Sequence, residues 1–133
     1  MDIVASIQEQ LQQLFPNVLG MQLQEVTPER VVARLTVRPE LCTAGEIMHG
    51  GAIMTFADTL GAVATIVNLA PGLRTTTIES KTNFLGAARL NTEVVGECTP
   101  LHRGKQTMVW QTKVQSAEGR LIAVVTQTQL VLQ

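Results

Sequence analysis

Aromatic side chains are almost missing from this 133-residue chain, which has no tyrosine and only Phe15, Phe56, Phe84 and Trp110. Basic blocks are missing too, and the formal net charge is −1. A nucleic-acid partner would call for a basic footprint and stacking rings, so none is expected. Charge of either sign is scarce: 16 % of residues, against roughly 25 % in ordinary soluble domains. A surface so thin in charge points to partial cover by a second subunit. The two cysteines, Cys42 and Cys98, lie far apart in the sequence and read as reduced thiols acting as small apolar residues. Together with two histidines they show no ligand spacing, so neither a metal nor another cofactor is expected. The N-terminus carries Asp2 and Glu9 in place of a basic region followed by an apolar run. It does not resemble a signal peptide, and a cytoplasmic location is the expectation.

What is present is apolar: 45 % of residues, enough for one packed core in a single domain spanning 1–133. The greasiest stretch, 52–70, is long enough to cross a bilayer. It contains Asp58, however, the only charged side chain between Glu46 and Arg74. A carboxylate deep in lipid is disfavoured by ~2.5–3.5 kcal/mol, so the stretch reads as a core helix. Inside a protein, an isolated carboxylate also costs several kcal/mol unless it is paired, neutral or near water. Asp58 is therefore a candidate for chemistry.

Periodicity orders the rest. Ile3, Ile7, Leu11, Leu14 and Phe15 recur at helical spacing opposite a row of glutamines, which predicts an N-terminal amphipathic helix over 1–16, ended by Pro16. Residues 18–26 are strand-like, 30–38 alternate as a half-buried strand, and 39–48 read as a loop. The apolar helix covers 50–68 and is closed by Pro71-Gly72. Four strands follow, over 75–84, 90–99, 105–115 and 121–132, with turns at Gly86, 100–104 and Glu118-Gly119. Consecutive hairpins make an antiparallel sheet, and a helix apolar nearly all round must be wrapped by it. The order predicts an α+β chain of the hotdog type.

At this point His49-Gly50-Gly51 and Asp58, nine residues after the histidine, take on a pattern. So do the strand 77–85, Thr-Ile-Glu-Ser-Lys-Thr-Asn-Phe-Leu, and the basic turn Leu101-His102-Arg103-Gly104-Lys105. Together, over roughly residues 18–131, they resemble the phenylacetate-degradation (PaaI-like) branch of hotdog-fold acyl-CoA thioesterases. The resemblance implies hydrolysis of an acyl- or aryl-acyl-CoA to the acid and coenzyme A, by a homodimer or dimer-of-dimers tetramer. It implies Gly50 as the oxyanion donor with Gly51 as its tight-packing partner, and Asp58 as general base or nucleophile. Thr77 falls at a hydroxyl position that orients the attacking water in some members, and His49 lies near the thioester. Arg103, Gly104 and Lys105 would meet the coenzyme A phosphates, with Arg89 a further candidate. An apolar acyl slot is expected beside Met54, Phe56 and Leu60. The chain departs from the family where several relatives carry an asparagine six residues before the histidine, a position held here by Thr43. Gly45 also stands four residues before His49 instead of three, so the loop carries an insertion or gives Glu46 a role.

Chemistry supports the same residues independently. The first N–H groups of a helix lack intrahelical acceptors and favour an anion, and a glycine lets a carbonyl approach them. Eight residues separate Gly50 from Asp58, or ~12 Å along a helix, too far for both to act on one thioester. Two copies of the helix related by a two-fold axis would bring Gly50 of one beside Asp58 of the other. Two alternatives stand beside hydrolysis: a non-catalytic binder of acyl-CoA or aromatic ligands on the same fold, and a dehydratase of the same superfamily.

Overall fold

The structure, a computed structural model, describes residues 2–133. The first helix, α1, spans Ile3–Leu11, and the Asp2 carboxylate caps it by accepting the Ala5 N–H at 2.8 Å. It stops one turn short of the expected end at Pro16. The side chain of Gln8 turns inward, donating to Met21 O and accepting from Leu23 N, which ties α1 to the next strand. The chain must then leave the helical path, so Leu14 and Phe15 stay exposed and Pro16 enters a 3-10 turn, Phe15–Leu19. The first strand therefore begins later than expected, with β1 at Gln22–Thr27, followed by β2 at Arg30–Thr36.

The segment expected to be a loop holds a turn at Pro39–Leu41 and a minimal hairpin, β3 (Cys42–Thr43) with β4 (Ile47–Met48). Gly45 and Glu46 both adopt positive φ at its tip, and the Glu46 carbonyl accepts the Leu90 N–H at 2.9 Å. Helix α2 follows at Gly50–Ile66. Four long strands complete the chain: β5 (Arg74–Phe84), β6 (Glu93–Arg103), β7 (Thr107–Ser116) and β8 (Leu121–Leu132). Strand β6 runs on past Pro100, where a turn was expected. Pro100 lies beyond the ladder with β2, which ends at Cys98, and next to a bulge at Leu101, so its missing N–H breaks no pairing there.

Six strands form one antiparallel sheet in the order β1-β2-β6-β7-β8-β5, leaving β1 and β5 at the edges. Helix α2 lies against it with Ile53, Phe56, Ala57, Leu60, Val63 and Ala64 buried. Glycines allow this close approach: a Cβ at Gly96 would stand 2.7 Å from Leu60 Cδ1 and 2.8 Å from Phe56. The buried Trp110 donates its ring N–H to Thr65 Oγ1 at 2.9 Å, joining β7 to the helix. Wrapping is one-sided. On the other flank Gly51 and Ile66 are exposed, and Thr55, Asp58 and Ala62 are half-buried. This α+β arrangement, a long helix laid on an antiparallel sheet, is the hotdog fold that the element order predicts. No helix among the described residues is long and apolar enough to cross a membrane.

Candidate active site

Two groups of the expected residues come together at two levels of α2. The first is the helix start. The His49 backbone is anchored by its N–H to Leu41 O, and Met48 N–H by Ala88 O, both at 2.8 Å. His49 is the N-cap, and its ring Nδ1 accepts the Gly51 N–H at 2.8 Å. A neutral ring that accepts at Nδ1 carries its proton on Nε2, so His49 presents a donor outward. The Ala52 and Ile53 N–H groups bond to His49 O. The Gly50 N–H has no acceptor among the described residues. Phe84 covers this glycine: a Cβ there would stand 3.1 Å from the ring.

Asp58 forms the second group. One carboxylate oxygen, Oδ1, accepts the Thr77 hydroxyl at 2.6 Å. The second oxygen has no partner among the described residues, and the side chain borders an open cleft of about 280 Å³ lined by Phe15, Met54, Thr55, Thr59 and Ser80. The helix threonines bond to their own turn, Thr55 to Gly51 O and Thr59 to Thr55 O, and do not engage the carboxylate. Thr77 and Ser80 both face the helix because β5 is bulged between them. Thr77 pairs with Gln129 and Glu79 with Thr128, leaving Ile78 as the extra residue. The bulge shifts the alternation by one, so Thr75, Thr77, Ser80 and Thr82 are half-buried while Ile78, Glu79 and Lys81 face out.

Behind Thr77 lies a buried polar chain that the residue pattern did not reveal. Gln129 Nε2 donates to Thr77 Oγ1 and to Gln127 Oε1, both at 2.6 Å, and Gln127 Nε2 donates to Ala57 O at 2.9 Å. Both glutamines are fully buried. Gln127 fits because residue 61 is glycine; a Cβ there would overlap the Gln127 amide. A signal existed, since Gln127 and Gln129 continue the inward face of Ala123 and Val125, where apolar residues belong. Ser80 was missed as well. Its hydroxyl, like that of Thr82, is buried without a hydrogen-bond partner, and it borders the same cleft as Asp58.

The basic turn is remote from both groups. Gly104 and Lys105 border a cleft of about 410 Å³ beside Asn68, Leu69 and Ala70, at the C-terminal end of α2. Arg103 donates to Pro28 O at 3.1 Å and lies 3.9 Å from Glu29, whereas Lys105 has no ion-pair partner among the described residues. Arg89 is exposed beside Thr92 and Arg120. Of the residues expected in an acyl slot, only Met54 borders the Asp58 cleft; Phe56 and Leu60 are fully buried on the sheet side. Of the two thiols, Cys98 is sealed in the core, where burial pushes it up to about 12. Cys42 is half-buried, in the wall of a second groove of about 420 Å³ that also contains Phe15, His49 and Gly51.

The sequence profile of the thioesterase superfamily matches residues 45–123, a span holding the helix start, Asp58, Thr77 and the basic turn. A Vibrio cholerae protein provisionally named an esterase is 31 % identical over 100 residues, covering 75 % of this chain and 66 % of its own length. The 1,4-dihydroxy-2-naphthoyl-CoA hydrolase of Escherichia coli is 33 % identical over 75 residues, covering 56 % of this chain and 54 % of its own. Among solved structures, a thioesterase from Haemophilus influenzae superposes with a TM-score of 0.94 at 21 % identity, over 100 % of this chain and 92 % of that one. A provisionally named thioesterase from Streptococcus pneumoniae, solved with coenzyme A, superposes with a TM-score of 0.77 at 24 % identity, over 84 % of each chain. The fold, the matched profile and these relatives agree: the chain is a hotdog-fold enzyme belonging to the thioesterase superfamily.

Proposed function

We propose that the chain hydrolyses acyl-CoA thioesters, aliphatic or aromatic, to the carboxylic acid and coenzyme A, at sites shared between two copies of the chain. The observation that carries this reading is the Asp58 carboxylate, with one oxygen fixed by Thr77 and the other without a partner among the described residues, on a side chain that borders a cleft. That oxygen serves either as the base that takes a proton from the attacking water or as the nucleophile itself. The carbonyl oxygen gains charge in either route, and the unengaged Gly50 N–H at a helix start is suited to stabilise it, typically by ~2.7–4 kcal/mol. The helix rise keeps these groups ~12 Å apart in one chain, so each site takes Gly50 from one copy and Asp58 from the other. Two features support a dimer: the uncovered flank of α2, and the unpaired β5 edge, where Ile78 and Phe84 are 55 % and 52 % exposed.

Coenzyme A recognition is supported by the S. pneumoniae structure and by the naphthoyl-CoA substrate of the E. coli relative. Lys105 is free to meet a phosphate, and Gly104 allows the turn that presents it. Arg103 reaches a phosphate only by loosening its contact with Pro28 and Glu29. Met54 and Phe15 offer apolar walls for the acyl group next to Asp58.

The test is steady-state hydrolysis across aliphatic and aromatic acyl-CoAs with a thiol-detecting reagent. Turnover of at least one thioester is expected, and Asp58→Asn should lower kcat by ~10²–10⁴-fold while leaving the protein folded. Retained turnover in that variant would remove Asp58 from the mechanism. Binding of acyl-CoA with no hydrolysis by the unaltered protein would instead establish a binder.

A further inference from the structure

The polarity of the buried chain behind Thr77 follows from its far end. The Ala57 carbonyl can only accept, so the Gln127 amide must point its NH₂ at Ala57 and its oxygen at Gln129. Gln129 must then offer its NH₂ to Gln127, and the second proton of that NH₂ goes to Thr77 Oγ1. The Gln129 oxygen, on the opposite side, lies 3.0 Å from the Thr75 hydroxyl, whose single proton also has the Leu130 carbonyl as an acceptor at 2.9 Å. With a lone pair of Thr77 engaged by Gln129, its own proton is directed to Asp58 Oδ1. No step from the Ala57 carbonyl to the Asp58 carboxylate has a free choice of direction. Both glutamines are fully buried, so bulk water offers no competing partner.

We propose that Gln129, oriented by Gln127, is a positioning residue that locks the Thr77 hydroxyl as a donor to Asp58, making Oδ2 the carboxylate's reacting oxygen. Oδ1 is committed as an acceptor to Thr77, while Oδ2 has no partner among the described residues on a side chain that borders the cleft. The same chain runs from the Ala57 carbonyl on α2, through β8 and β5, and back to the neighbouring residue Asp58. It therefore fixes the carboxylate by a closed loop across three elements. This assignment rests on the hydrolytic role proposed for Asp58, but the direction of the hydrogen bonds does not.

The experiment has two arms. In the first, kcat and KM are measured for Gln129→Met, Thr77→Val and the double variant against an acyl-CoA that the unaltered protein hydrolyses. Gln129→Met is expected to lower kcat about 10-fold with KM within about twofold, because the hydroxyl loses its imposed direction. Adding Gln129→Met to Thr77→Val should change kcat no further, since no hydroxyl remains to direct. A full kcat in a folded Gln129→Met protein, or an equal loss in the Thr77→Val background, overturns the proposal. The second arm needs neither activity nor a glutamine variant: side-chain amide ¹H–¹⁵N spectra of the unaltered protein and of Thr77→Val. Both Gln129 amide protons are expected to be protected from exchange, with one losing protection in Thr77→Val. A freely exchanging Gln129 amide in the unaltered protein overturns the relay even if Gln129→Met fails to fold. Absence of acyl-CoA turnover with protected amides would contradict the hydrolytic reading and leave the relay standing.

Discussion

Gly50 allows the proposed oxyanion donor to be removed alone. It is the first helical residue of α2, preceded by an extended His49 at φ −62° and ψ 137°. Proline is tolerated at that position and lacks only the N–H. Gly50→Pro should therefore keep α2 and lower kcat by ~10²–10³-fold. Gly50→Ala keeps the N–H and introduces only the contact with Phe84, a half-exposed ring with room to move. It should retain most of the activity, and a loss as large as that of proline would assign the effect to Phe84. Of the polar residues here, Asp58 was legible because it stands alone in an apolar run. Thr77 stood out only through the resemblance. Gln127 and Gln129 escaped because a strand of β-branched residues hides two polar positions unless its inward face is followed residue by residue. Ser80 gave no signal at all, since its orientation depends on the bulge before it.

Elements were more readable than their ends. Strand β2, helix α2 and strands β5 and β8 lie within two residues or so of where periodicity places them. Helix α1 stops early because Gln8 bonds to the following strand, a tertiary contact that local spacing does not encode. The β5 bulge is invisible for a similar reason. Ile78 suits any strand, and its extra status is set by the β8 register. The bulge is nonetheless decisive for the site. Plain alternation through Ile78 would turn Glu79 and Lys81 toward the helix in place of Ser80 and Thr82. Deleting Ile78, in contrast, removes the bulge and keeps Thr77, Ser80 and Thr82 on the inward face. The deletion variant is expected to unfold within ~2 kcal/mol of the unaltered protein in denaturant and to keep detectable hydrolysis. Loss of folding or of hydrolysis in that variant would show that the site needs the local twist of the bulge itself and not only the alignment of Thr77 with Ser80.

The whole molecule shows a reason for the low charge noted in the sequence. One flank of α2 and the long β5 edge remain open, and both border the residues to which chemistry is assigned. A two-fold partner covering them would account for the sparse charge, the exposed Ile78 and Phe84, and the separation of Gly50 from Asp58 at once. Co-expression of Asp58→Asn with Gly50→Pro tests that arrangement through activity. Each variant alone should be inactive. In a mixed dimer, one site receives the intact Asp58 of one chain and the intact Gly50 of the other, so a random mixture should recover about a quarter of the unaltered activity. A mixture no more active than either variant alone would contradict a site shared between two chains.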